Sequence, residues 1–146
     1  MSDRDEVNAV IDRMLGFMNE HDLEACVSCY SVDARLQDPR FPQPVQGNQY
    51  VREGFKYWFD AFPDVYVTIT DRIIDGQKVA LEWTFEATHL GEYLDVQPSG
   101  RRFKVLTAAH FEVENGKVTR DFSLFDASAL RMLEELASSP GETGAS

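Results

Sequence analysis

Residues 77–126 read QKVALEWTFEATHLGEYLDVQPSGRRFKVLTAAHFEVENGKVTRDFSLFD, and the alternation in this stretch decides the fold. Apolar and polar residues trade places along Lys78–Leu90, Arg102–Val113 and Lys117–Phe125, the period of half-buried strands. A Gly-Glu-Tyr…Pro-Ser-Gly connection separates the first two segments, and Glu114-Asn115-Gly116 separates the last two. Asn115-Gly116 supplies the positive φ angles of a tight hairpin. The stretch therefore predicts a meander of three long, twisted, antiparallel strands.

Upstream, Val65–Thr70 alternates and is rich in β-branched residues, so it adds a fourth long strand. Ile73-Ile74-Asp75-Gly76-Gln77 joins it to the meander through an Asp-Gly hairpin turn. Helices precede the sheet. Val7, Val10, Ile11, Met14, Leu15 and Met18 form an i, i+3, i+4, i+7 stripe over residues 5–20, with Ser2 or Asp3 as the cap. Asn19-Glu20-His21-Asp22 breaks that helix. Leu23, Cys26, Val27 and Tyr30 give a short second one, with Asp22 as N-cap. A brief strand at Ala34–Gln37 leads into three prolines, Pro39, Pro42 and Pro44, where no helix can form and Asp38 is held extended. After Gly47, the residues Tyr50, Val51, Gly54, Phe55, Trp58 and Phe59 recur at helical spacing over Asn48–Phe59. Ala127–Leu136 closes the order as a terminal helix, and SSPGETGAS, residues 138–146, reads as a disordered tail. Segregated helices and strands mean an α+β fold, one domain over residues 1–137, with helices covering one face of a curved antiparallel sheet.

The totals narrow the function classes. A chain of 146 residues is long enough for a core and one internal pocket. A net charge of −11 argues against nucleic acid, because nothing would neutralise a phosphate backbone. No run of about 18 apolar residues offers a membrane span, and the polar, acidic start is unlike a signal peptide, so the expected location is cytoplasmic. Cys26 and Cys29 lie on one helix face and read as buried small residues, since no second ligand pair or redox context surrounds them.

Several motifs resemble a known family. The helices-first order, Tyr30-Ser31-Val32-Asp33-Ala34 leading to the first strand, and Gly47 before the third helix resemble the nuclear transport factor 2-like superfamily. Ala61-Phe62-Pro63-Asp64, Thr88-His89-Leu90-Gly91, Pro98-Ser99-Gly100-Arg101 and Asn115-Gly116-Lys117-Val118 are similar to its SnoaL-like polyketide cyclase branch. That branch often adds a Glu-x-Trp and an Asp four residues beyond the Trp. Here Arg120 and Phe122 stand at the Glu and Trp positions, and Asp126 keeps the Asp. The resemblance covers roughly residues 5–136. It implies a cone of curved sheet wrapped around the N-terminal helices, an apolar pocket inside, and a homodimer formed through the open sheet face.

The expected site follows from these residues. Tyr50, Phe55, Trp58 and Phe85 are the candidate pocket walls for a flat, apolar carbonyl compound. Asp38, before Pro39, is similar to the ketosteroid isomerase base that shuttles a carbon-bound proton. Met14 and Ala109 stand where that enzyme carries its oxyanion donors, which weakens the isomerase comparison. Asp126 is the counterpart implied by the cyclase resemblance to a general acid/base in aldol closure. His89, at a strand end, and His110 complete the catalytic candidates. Asp121, Ser123 and Phe125 share one face of the last strand and Phe122, Leu124 and Asp126 the other; the apolar character of Phe122 and Leu124 assigns the second set inward. Glu82 and Glu86 are expected to pair with Lys104 or Arg102 across strands. No His-x-His or His-x-x-x-His spacing supports a metal, and no cofactor is expected. The reading is a small cofactor-independent enzyme of enolisation chemistry, cyclisation or isomerisation. The alternative is a non-catalytic binding or dimerisation module. An epoxide hydrolase would need paired carboxylates around a water with an Arg, types that Asp38, Asp126 and Arg101 supply.

Overall fold

The structure, a computed structural model, describes residues 2–126 and 128–137. The expected tail at 138–146 lies outside the described residues. Three helices come first, α1 (Asp3–Asn19), α2 (Leu23–Ser28) and α3 (Asn48–Ala61), with β1 (Tyr30–Gln37) and β2 (Val45–Gln46) between the second and third. Then come β3 (Tyr66–Asp75), β4 (Lys78–Thr88), β5 (Arg102–Glu114), β6 (Lys117–Phe125) and α4 (Ser128–Ala137). The strands form one sheet in the order β2-β1-β6-β5-β4-β3.

Local chemistry sets the helix ends. Ser2 accepts from the Asp5 amide while the Asp5 carboxylate reaches back to the Ser2 amide, a reciprocal capping box that starts α1. Asp22 caps α2 by accepting from the Ala25 amide. The Asn19 side chain both donates to the Val67 carbonyl (3.0 Å) and accepts from the Val67 amide (2.7 Å), so it tethers the end of α1 to β3. Asn115 and Gly116 both have positive φ, 52° and 73°, as the hairpin between β5 and β6 requires.

Alternation holds along the sheet. On β5, Phe103, Val105, Thr107, Ala109, Phe111 and Val113 are buried, and the residues between them face outward. The α1 stripe of Val7, Val10, Ile11, Met14 and Met18 is buried against the inner face, each side chain contributing about 1.5–3 kcal/mol by leaving water.

Two features differ from the sequence reading. The sheet is not wholly antiparallel, because β1 pairs with β6 in parallel, from Tyr30 opposite Val118 to Gln37 opposite Phe122. A chain that lays α3 and four strands between β1 and β6 can return in either direction, and alternation within a strand carries no information about its partner. Strand β1 also begins at Tyr30 and not at Ala34, which takes Tyr30 out of the second helix and turns its ring into the protein.

Candidate functional site

Between α1, α3 and the inner face of the sheet lies a cavity of about 110 Å³. An engineered cavity of about 150 Å³ accepts benzene, so this one approaches the size of a single ring and takes such a guest with small side-chain shifts. Its walls are mostly apolar, with a cluster of aromatic rings among them. Trp58 of α3 meets Phe85 edge-on at 5.4 Å between centroids and Trp83 at 6.2 Å, and Phe125 closes on Phe85 at 5.9 Å.

Polar residues enter this wall from β1 and β6. The Tyr30 hydroxyl donates to Oδ2 of Asp121 at 2.6 Å, and the Ser123 hydroxyl donates to Oδ1 at 2.6 Å. Asp121 is half-buried. Burial pushes its carboxyl above the ordinary carboxylate range; the Ser123 and Tyr30 hydrogen bonds and the Arg40 charge oppose that rise, and the Asp38 charge adds to it. Burial and the neighbouring Asp121 charge likewise push the Tyr30 phenol well up.

Beside this cluster sits an ion pair built by a turn. Pro39 occupies the second position of a turn closed by the Phe41 amide on the Asp38 carbonyl (3.0 Å). Within it, the Asp38 carboxylate accepts from the Arg40 amide and from Arg40 Nε, each at 2.8 Å, and from Arg40 Nη2. The two side chains are only 16% and 11% exposed. Burial works against the charged guanidinium, but Asp38, Tyr93 and Asp121 outweigh it and hold Arg40 above its usual value. Gly54 makes room for this arginine: a Cβ there would stand 1.8 Å from Nη1.

The structure brings four of the expected residues together. Asp38, Phe55, Trp58 and Phe85 line the cavity. Tyr50 does not; it packs edge-on to Phe41 at 6.0 Å. Asp126 is exposed at the end of β6 and accepts from the amide and hydroxyl of Ser128; these contacts lower its pKa. The assignment of faces on β6 is therefore reversed: Asp121, Ser123 and Phe125 line the cavity. Phe122 and Leu124 face out because the outer sheet surface is itself rich in apolar residues, with Leu106 and Leu124 exposed there and Arg120 stacked over the Phe122 ring at 5.7 Å.

His89 is buried but off the cavity. It packs on Phe62 at 5.6 Å, and its Nδ1 lies 3.4 Å from the Ser99 amide, within the connection from β4 to β5. His110 is on the outer face of β5, opposite Phe122 and 3.3 Å from an Arg120 nitrogen. Arg101 is exposed and apart from the cavity, so the Arg and carboxylates that do converge are Arg40, Asp38 and Asp121. Arg102 pairs with Glu86, as expected, and also with Asp64. Among the described residues, no three His, Cys, Asp or Glu side chains gather in a way that could hold a metal ion.

Sequence reasoning missed Arg40, Tyr30, Asp121 and Ser123. The Asp-Pro-Arg tripeptide was the available signal for the first, since the proline folds the arginine back on the aspartate. A strand face that reads Asp-x-Ser-x-Phe was the signal for the last two.

A family model described as SnoaL-like polyketide cyclase matches residues 8–132. No curated protein sequence matches the chain. Among solved structures, AclR from Streptomyces galilaeus is 25% identical with a TM-score of 0.76, covering 89% of this chain and 96% of its own. TerC, crystallised with polyporic acid, is 18% identical with a TM-score of 0.72, covering 89% and 98%. An LEH-like epoxide hydrolase from M. tuberculosis is 16% identical with a TM-score of 0.68, covering 89% and 90%.

Proposed function

The chain belongs to the SnoaL-like polyketide cyclase family, and from that premise and the cavity's chemistry we propose that it is an acid/base enzyme acting on a flat, apolar carbonyl compound. The observation that carries this reading is a half-buried carboxyl, Asp121, held by two hydroxyls in the wall of an apolar cavity beside an Arg–Asp pair. A carboxyl whose pKa is raised by burial is a stronger base at neutral pH than an ordinary one, and proton transfer by such a group contributes about 10²–10⁴-fold. In the proposed step, the Asp121 carboxylate takes a proton from the carbon next to a carbonyl. The C–H electron pair moves into the carbonyl, and negative charge gathers on its oxygen. Arg40 is the positive group in the same wall, fixed before the reaction by Asp38, while the Tyr30 and Ser123 hydroxyls hold the Asp121 carboxylate in place. Return of the proton to another carbon gives isomerisation; attack of the carbanion on a second carbonyl gives cyclisation.

TerC, whose fold this chain shares, was co-crystallised with polyporic acid, a flat compound, which supports a flat guest. Hydration of an epoxide is a second reading, favoured by the grouping of Asp38, Arg40 and Asp121. The test is incubation in D₂O with aryl ketones, β-diketones and aryl epoxides, read by mass spectrometry for wild type and Trp58→Ala. Deuterium gained next to the carbonyl supports enolisation, diol formation supports the second reading, and binding without either outcome leaves a ligand-binding module.

A further inference from the structure

Thr107 stands at the centre of the cavity's sheet wall. It is paired across strands with Trp83 on β4 and Phe125 on β6, and all three residues line the cavity. Its side chain is 1% exposed, and its hydroxyl has no hydrogen-bond partner. Other threonine hydroxyls of this sheet bond back to the protein: Thr70 donates to the Glu82 carbonyl at 3.1 Å and Thr119 to the Glu112 carbonyl at 3.3 Å. A buried hydroxyl left unpaired costs stability, and a valine would fill the same volume without that cost. The residue type is thus wrong for a structural wall and right for a polar contact that a guest completes.

We infer that Thr107 is a second polar anchor of the cavity, which hydrogen-bonds an oxygen substituent on the guest at the end remote from Asp121. This assignment deepens the reading of the cavity as a carbonyl-compound site and rests on it. Along the sheet, Thr107 is a diagonal neighbour of the Ser123 register position, about 7–8 Å away, and about 14 Å from Asp121 measured along β6. The guest therefore carries oxygen at both ends of a ring-sized apolar body, one for the Asp121 and Arg40 end and one for Thr107. The substrate class is an oxygenated aryl ketone, such as a hydroxyaryl ketone, and not a plain hydrocarbon ketone.

The test compares a para-hydroxyaryl ethyl ketone with the same ketone lacking the hydroxyl, on wild type, Thr107→Val and Thr107→Ser. Wild type should prefer the hydroxylated compound by roughly 3- to 10-fold, the yield of one neutral hydrogen bond. Thr107→Val should erase that preference while its Tm stays level or rises, and Thr107→Ser should restore the preference. A merely structural threonine would instead lower Tm on replacement by valine and weaken both ketones alike, which overturns the assignment. So would a wild type that does not distinguish the two ketones. If wild type prefers the hydroxylated ketone but exchanges no proton next to its carbonyl, enolisation fails and the anchor stands.

Discussion

Replacing Gly54 by alanine should destabilise the protein, although the same change in an exposed helix interior would stabilise it by about 1 kcal/mol. The reason is the seat that Gly54 provides. A Cβ there would lie 1.8 Å from Arg40 Nη1, 2.6 Å from Cζ and 2.7 Å from Nη2. Ordinary contact needs about 3.5 Å, so the guanidinium must retreat by roughly 1.7 Å. At that displacement its 2.8 Å bond from Nε to Asp38 is lost. The arginine can swing toward the mouth, but only by leaving a carboxylate that is 11% exposed without its counter-charge. Breaking a buried pair costs about 3–5 kcal/mol, so the net loss should be about 2–4 kcal/mol once helix propensity is set against it. Urea denaturation reads this directly, and an Arg40→Met background supplies the control. There the seat is empty of charge, and Gly54→Ala should become much less harmful, a coupling visible in the double-mutant cycle. A Gly54→Ala protein that is more stable than wild type would refute the reasoning.

Three further outcomes follow from the same structure. Asp121 binds its proton more tightly folded than unfolded, so its contribution to stability is full below the ordinary carboxylate range and is lost as pH rises through its folded value. Tyr30→Phe removes a donor to the charged form, so it should raise that folded value further and cost about 1.5–3 kcal/mol at neutral pH, less in acid. Denaturation at several pH values checks this, and a cost independent of pH would contradict it. We propose a homodimer through the outer sheet face, where Leu106 and Leu124 are 66% and 51% exposed; Leu106→Glu should give a monomer by sedimentation, whereas an unchanged mass would exclude that face. Asn19→Ala breaks both bonds to Val67 and should cost about 1–3 kcal/mol by thermal denaturation, with the cavity chemistry intact.

The fold was legible because each element carried its own local signal. The α1 stripe, the Asp22 cap, the alternation along β4 and β5 and the Asn115-Gly116 turn each needed no partner to be read. The parallel pairing of β1 with β6 had no such signal, because a strand's alternation does not name its neighbour. The walls of the site, Trp58, Phe55 and Phe85, were legible as aromatic positions on inward faces. Its chemistry was harder to see. On β6 the usual inference from apolar to inward pointed to Asp126, but Asp121 and Ser123 face the cavity and Phe122 and Leu124 lie on a surface with other exposed apolar residues. Arg40 was hidden for a different reason: only the folded turn shows that the arginine returns over Pro39 to Asp38.

The most direct test of the account is deuterium exchange next to the carbonyl of a bound aryl ketone, followed from acid to neutral pH on wild type, Asp121→Asn and Asp126→Asn. Wild type should exchange faster as Asp121 loses its proton, Asp126→Asn should match it, and Asp121→Asn should fall about 10²–10⁴-fold. Equal exchange by wild type and Asp121→Asn, or a loss confined to Asp126→Asn, would contradict the assignment of the Asp121 carboxyl as the acid/base group.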